Sequence, residues 1–319
     1  MMRVVVTGRV PEAAITMLQA EHEVLAWRSE TLVSREQLLH RVDGADAILS
    51  LLTEKVDAEL LAAAGPQLKV VSNVAVGFNN IDVAACRARG VIATNTPGVL
   101  TDATADIAMA LILMSTRRLA EGERVIRSEQ SWQWGMFYML GTSIQGSRLG
   151  VVGMGQIGAA LARRAKTFGM TITYSNRSEI APELADELGC VRLSMEELLR
   201  TSDVVSLHCP YNDGTHHLID AKALAMMKPS AYLINTARGP VVDEGALADA
   251  LRSGQIAGAG LDVFEKEPEV HADLLGLDNA VLLPHLGSAT IETRTAMATL
   301  AATNALAVLR GESAPNPVT

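Results

Sequence analysis

Short runs rich in Val, Ile and Leu recur through the first third of the chain, at Arg3–Thr7, Glu23–Trp27, Ala47–Leu51, Lys69–Val76 and Val91–Asn95. Ala- and Leu-rich stretches with helical spacing of their apolar positions lie between them. Apolar runs alternating with helical segments predict parallel strands joined by crossover helices. A second series follows at Arg148–Val152, Thr171–Ser175, Val204–Cys209, Ala231–Thr236, Ala257–Val263 and Val281–Leu283. The expected fold class is therefore α/β, with two doubly wound parallel sheets.

Between the two series, Asn95-Thr96-Pro97-Gly98-Val99 breaks the pattern, because the Pro-Gly pair ends a strand. A long apolar-periodic stretch from about Thr101 to Ser128 then predicts a single helix. The last helix, about Thr290 to Arg310, has an alanine-rich face suited to close packing. It is expected to return to the first sheet, which makes the division discontinuous: 1–98 with 288–319 as one domain, and 99–287 as the other. Two connections between them would be able to act as hinges. The tail Ser313–Pro317 is expected to be loosely held.

One strand ends in a turn with its own chemistry. Leu149-Gly150-Val151-Val152-Gly153-Met154-Gly155-Gln156-Ile157-Gly158 runs an apolar strand into G-x-G-x-x-G and then an alanine-rich helix. Gly153 would permit the tight turn, Gly155 the approach of a pyrophosphate, and Gly158 close packing of helix on strand. The helix N-terminus adds amide donors and positive potential. The next strand, where an NAD enzyme carries an acid for the ribose hydroxyls, ends instead in Ser175-Asn176-Arg177-Ser178. A guanidinium and hydroxyls there would suit a 2′-phosphate, so NADP(H) is the expected cofactor, with NAD(H) possible. A solvated surface arginine is the plainer reading of Arg177.

Composition narrows the picture. At 319 residues the chain is long enough for two domains, and 49% hydrophobic with 20% charged residues is a globular balance. A net charge of -9 argues against nucleic acid, whose phosphates require Lys and Arg. Cys86, Cys190 and Cys209 are odd in number and lack metal-ligand spacing, so they are expected to be reduced core thiols, with no metal. No secretory segment and no bilayer-length apolar span is evident, which points to a cytoplasmic protein without membrane partners.

The remaining chemistry follows strand ends late in the chain: Asn235-Thr236-Ala237-Arg238-Gly239, Gly260-Leu261-Asp262-Val263-Phe264 with Glu265-Lys266-Glu267-Pro268, and Pro284-His285-Leu286-Gly287-Ser288-Ala289. With Val76-Gly77-Phe78-Asn79-Asn80-Ile81-Asp82, Asn95-Thr96-Pro97-Gly98, Thr101-Asp102-Ala103-Thr104-Ala105-Asp106 and the glycine motif, they cover nearly the whole chain. In this order they resemble the D-isomer-specific 2-hydroxyacid dehydrogenases, and among them the glyoxylate/hydroxypyruvate reductase branch.

That resemblance implies a Rossmann coenzyme domain inserted in a flavodoxin-like substrate domain, and the reduction of a small 2-oxo acid to its D-2-hydroxy acid. Hydride would pass from nicotinamide C4 to C2, and a proton from His285 to the developing alkoxide. Arg238 would hold the carboxylate and polarise the carbonyl. Glu267 would fix the imidazole tautomer, with Glu265 as its rival for that role. Singly, the three have plainer readings: a salt-bridge partner, a solvated loop acid and a helix cap.

Expected cofactor contacts are Thr104, Gly153, Met154, Gly155, Gln156, Ile157, Gly158, Asn176, Arg177, Ser178, Cys209, Pro210, Thr236, Ala237, Asp262, His285 and Gly287. Asp262 is expected to meet the carboxamide. Leu52, Val76 and Gly77, together with Arg238 and His285, would bind the substrate. His208, His216 and His217 match no family role. Small and apolar pocket residues favour glyoxylate or hydroxypyruvate; a longer acid such as 2-ketogluconate is the alternative. Val76 stands where the similar phosphite dehydrogenases carry a lysine. A non-catalytic nucleotide sensor on the same fold is the rival of another class. The family further implies a homodimer through the long helix, and Trp132 and Trp134 read as packing residues between domains or subunits.

Overall fold

A computed structural model of the chain describes residues 1–128 and 131–318 and separates into two units, Met1–Leu100 with Ala289–Thr319, and Thr101–Ser288. The first unit follows from alternation along its strands, β1 (Arg3–Val6), β2 (Glu23–Ala26), β3 (Ala47–Ser50), β4 (Val70–Asn73) and β5 (Ile92–Thr94). All pairs are parallel and the order is β2-β1-β3-β4-β5, the flavodoxin-like arrangement. Val4, Val6, Ala47, Leu49 and Val70 pack on one face with α1 (Glu12–Gln19) and the final helix, Ile291–Leu309. Val5, Ile48 and Val71 point the other way, onto α2 (Arg35–Arg41), α3 (Ala58–Ala64) and α4 (Val83–Ala88).

The final helix earns its place by small residues. Ala298, Ala301, Ala302 and Ala305 share one buried face at helical spacing, and the Ser72 hydroxyl donates to the Ala301 carbonyl at 2.8 Å. The tail beyond it is not loose. Pro317 bridges Thr94 antiparallel, Asn95 N donates to Asn316 O, and Val318 N donates to Ala93 O at 2.9 Å. The backbone groups along the edge of β5 take up the tail, a contact that composition does not reveal.

The second unit begins with α5 (Thr101–Thr116) and α6 (Leu119–Arg127), where a single helix is expected from the sequence. Arg118 breaks it, with φ 52° and ψ 34°. The physical reason lies on either side of the break. α5 is buried along one side at Ala105, Ala108, Leu111 and Ile112, whereas α6 has no buried residue. Thr142 N takes the Thr116 carbonyl at 2.7 Å, which ends α5, and a bidentate pair with Glu121 holds Arg118.

The sheet that follows consists of β6 (Arg148–Val152), β7 (Thr171–Ser175), β8 (Val191–Arg192), β9 (Val204–Leu207), β10 (Tyr232–Asn235), β11 (Gly258–Leu261) and β12 (Ala280–Leu282). Its order, β12-β11-β10-β9-β6-β7-β8, is wholly parallel. It is the doubly wound order of dinucleotide folds with one further strand at an edge, and its direction reverses between β6 and β9. β8 has only two residues, too few for any periodic signal. One face packs on α5, α7 (Gln156–Thr167) and α8 (Pro182–Leu188), and the other on α9 (Met195–Thr201), α10 (Ala221–Met226), α11 (Glu244–Arg252) and α12 (Ala272–Leu275).

Candidate active site

At the point where the strand order reverses, the first βα turn meets the loop after β9. Gly153 has φ 95°, and a Cβ on it would lie 2.6 Å from Cys209 N, so neither its backbone nor its neighbour leaves room for a side chain. A Cβ on Gly158 would lie 2.5 Å from the Gly153 carbonyl, so α7 sits directly on the turn. Gly155 is the opposite case: an added Cβ meets no atom within 4 Å. Gly155 is also the N-cap of α7 and offers no side chain to its first amides. A pyrophosphate fits such a turn, with open backbone and uncapped donors at one place. Met154 is buried in the turn, Ile157 is half-buried, and the exposed Gln156 reaches Thr101 Oγ1 at 3.5 Å.

The loop after β7 is tied to this turn. Asn176 Oδ1 accepts from Met154 N at 2.7 Å, which commits that side chain to the glycine loop. Arg177 and Ser178 are exposed beside it. Arg192, a residue the sequence did not single out, donates to the carbonyls of Asn176 and Arg177, both at 2.9 Å. After β9, burial pushes the Cys209 thiol up to about 11, and Pro210 is exposed. His208 bonds Ser206 Oγ at 2.8 Å, and burial pushes it down to about 4, so it is neutral at neutral pH. Cys86 is buried, whereas Cys190 and Cys209 are only half-buried.

The carboxyl ends of β10, β11 and β12 carry the second cluster. Asn235 shapes its first turn: Oδ1 accepts from Ala237 N at 3.0 Å and Nδ2 donates to the Arg238 carbonyl at 2.9 Å. Thr236 lies beside it, buried, and its Oγ1 has no hydrogen-bond partner. Gly239 then touches the next loop, since a Cβ there would fall 1.8 Å from the Phe264 carbonyl carbon. Burial pushes the Arg238 guanidinium down from its ordinary value, with the charge of Glu267 opposing.

His285 Nδ1 and Glu267 Oε2 are 2.8 Å apart, with about a third of each side chain exposed at 33% and 35%. Glu267 Oε1 accepts from Phe264 N at 3.0 Å. Burial raises the Glu267 carboxyl, but the hydrogen bond and charge of His285, the Phe264 amide and Arg238 together hold it below its ordinary value. His285 has φ 54°, a left-handed backbone that costs a non-glycine residue roughly 1–2 kcal/mol. Asp262 imposes it: its carbonyl accepts from His285 N, and its carboxylate accepts from Leu286 N at 2.6 Å and Gly287 N at 2.7 Å. Asp262 thus organises the histidine loop, beyond the carboxamide contact expected of it. Thr104 Oγ1 closes the arrangement on the Gly287 carbonyl at 3.1 Å. His285 caps no helix, because the N-cap of the final helix is Thr290.

Glu265, the rival carboxylate, faces elsewhere. It accepts from Glu244 N at 2.9 Å and lies 3.2 Å from His217 Nε2. His217 and His216 stack at 4.0 Å on that side. Leu52, Val76 and Gly77 belong to the first unit, half-buried on the loops after β3 and β4. One amide pair fastens those loops: Asn73 and Asn80 bond each other at 3.2 Å, Asn80 reaches the Leu51 carbonyl, and Asn73 reaches the Gly77 carbonyl. Trp132 and Trp134 are 49% and 77% exposed, so neither packs into its own chain as a core residue. Among the described residues no group of His, Cys, Asp and Glu could hold a metal ion, and no helix is long and apolar enough to cross a membrane.

The model of the D-isomer specific 2-hydroxyacid dehydrogenase NAD binding domain matches residues 109–287. A glyoxylate reductase of Thermococcus onnurineus is 48% identical over 321 residues, covering 99% of this chain and 95% of the relative. The structure of a glyoxylate reductase from Paecilomyes thermophila matches with a TM-score of 0.90 at 35% identity, over 99% of this chain and 98% of that one. An NADPH-dependent glyoxylate/hydroxypyruvate reductase from Sinorhizobium meliloti, solved with NADP and malonate, matches with a TM-score of 0.85 at 33% identity, over 100% and 97%.

Proposed function

The chain belongs to the D-isomer specific 2-hydroxyacid dehydrogenase family, and from that premise we propose that it reduces glyoxylate and hydroxypyruvate with NADPH as the preferred donor. The observation that carries this reading is the His285–Glu267 pair at 2.8 Å, set at the strand ends beside Arg238. On this reading Thr101–Ser288 is the dinucleotide-binding domain, and Met1–Leu100 with Ala289–Thr319 binds the substrate.

A nicotinamide dinucleotide held at the glycine turn by Gly153, Gly155 and the first amides of α7 would supply the hydride for the C2 carbonyl carbon. Arg238 holds the carboxylate of the 2-oxo acid and meets the negative charge that develops on its carbonyl oxygen. His285 gives its Nε2 proton to that oxygen, while Glu267 on Nδ1 holds the ring and its tautomer. In the reverse direction His285 takes the same proton back as a base. Leu52, Val76 and Gly77, on loops of the first unit, are the further residues we assign to the substrate, and their small or apolar character suits a short acid without a phosphate. The test is NADPH absorbance decay across a panel of 2-oxo acids. Turnover of 2-ketogluconate above that of glyoxylate and hydroxypyruvate would overturn the substrate assignment.

The preference for NADPH rests on the end of β7. No acid stands there, Asn176 is committed to Met154 N, and the exposed Arg177 and Ser178 are the residues that would meet a 2′-phosphate. An efficiency with NADH equal to that with NADPH sinks this part of the reading. We also assign the chain to the cytoplasm and to a homodimer. Support for the dimer comes from Trp134, Met136, Phe137 and Leu140, exposed at 77%, 72%, 89% and 59%, and from the unburied α6 nearby in sequence.

A further inference from the structure

Resting on the roles given above to Arg238, Glu267 and His285, we propose that Glu244 and Glu265 are positioning residues, a reciprocal lock that fixes the Glu267 loop against the segment after Arg238. Each carboxylate accepts from the backbone of the other residue. Glu265 N donates to Glu244 Oε1 at 2.7 Å, and Glu244 N donates to Glu265 Oε1 at 2.9 Å. Glu244 is 4% exposed, and a carboxylate is retained at such depth only where hydrogen bonds replace its water. Glu244 is also the first residue of α11, so the charge of Glu265 meets the positive end of that helix. His217 Nε2 lies 3.2 Å from the second Glu265 oxygen.

From this lock a short chain of contacts leads to the proton donor. Phe264, next to Glu265, donates its N–H to Glu267 Oε1, and Glu267 Oε2 meets His285 Nδ1. On the other side the Phe264 carbonyl rests on Gly239, the neighbour of Arg238. Opening the lock frees the 264–267 loop, and Glu267 no longer orients His285. The glycine turn has separate fastenings, Asn176 on Met154 and Cys209 against Gly153, so dinucleotide binding does not depend on the pair.

The test uses the full chain with Glu265→Ala, Glu265→Gln and Glu244→Ala. Its readouts are kcat, KM for glyoxylate, NADPH affinity by fluorescence, and the His285 Nδ1 proton resonance, assigned by its loss in His285→Ala. Misplacement near the chemistry is costly, so both alanine variants lower kcat about tenfold to a hundredfold, with NADPH affinity within about twofold of wild type. Glu265→Gln keeps an acceptor oxygen and recovers kcat to within about threefold. The His285 resonance broadens or moves in the alanine variants and stays in Glu265→Gln. Alanine variants with wild-type kcat and an unmoved resonance overturn the proposal, as does an equal loss in Gln and Ala. If the wild type turns over no 2-oxo acid but the resonance still moves in Ala and stays in Gln, the lock stands and the substrate assignment fails. Glu265 is partly exposed, so its truncation leaves no sealed cavity, and its two variants decide the matter if Glu244→Ala does not fold.

Discussion

Glu265 and Glu267 sit two positions apart in one acidic loop, and their surroundings separate them: Glu267 faces His285, and Glu265 faces Glu244 and His217. His285→Ala is expected to lower kcat by about 10²–10⁴, with NADPH affinity nearly unchanged. Arg238→Lys should raise KM for glyoxylate, because a point charge replaces a planar fork. Steady-state kinetics on both variants checks this, and a near-normal rate in the histidine variant removes it from the proton transfer. His208 gives a pH dependence of stability. Its ordinary value of 6.5 falls to about 4 in the fold, so between those values the unfolded chain binds a proton that the native chain refuses. Stability from this group therefore declines as pH falls through that window, and His208→Gln should flatten the corresponding part of a Tm-against-pH curve. The three reaction candidates were legible in the sequence because each lies in a strand-end motif that resembles the family's, and that resemblance favoured Glu267 over Glu265. The left-handed backbone of His285 was not legible, since it depends on the carbonyl and carboxylate that Asp262 brings from another loop.

The strand–turn–helix of β6 and α7 gives a paired prediction about elements. Gly153→Ala must place a Cβ against Cys209 N at φ 95°, and should destabilise the fold by more than about 2 kcal/mol. Gly155→Ala has open space and should leave the urea midpoint near wild type, yet lower NADPH affinity by tenfold or more, roughly 1.4 kcal/mol. Urea titration and cofactor fluorescence on the two variants separate a packing glycine from a ligand-facing one. Equal stability losses in both would sink the distinction. Apolar runs gave the parallel strands their places, and one break and one strand escaped that reading. The helix predicted over Thr101–Ser128 parts at Arg118 because the Thr116 carbonyl is taken by Thr142, a partner far from the helical pattern. β8 is set by pairing with β7 through two residues, Val191 and Arg192, and no periodicity can mark so short a strand.

For the molecule as a whole, the exposed aromatic stretch predicts assembly. Trp134→Ser with Phe137→Ser should halve the mass measured by light scattering if the wild type is a dimer that closes over this stretch; an unchanged dimer mass places the interface elsewhere. The split of the first unit has a consequence in time. Its sheet is made by the first 100 residues, but one face is finished only by Ala298, Ala301, Ala302 and Ala305, which leave the ribosome nearly two hundred residues later. During synthesis the inserted unit has all its strands before the flanking one can complete its layers, so the inserted unit is expected to fold first. A chain ended at Ser288 should keep a protease-resistant core from Thr101 onward and lose protection of Met1–Leu100. Strands β1 to β5 wait, with the part of one apolar face that α1 leaves uncovered, for the helix Ile291–Leu309.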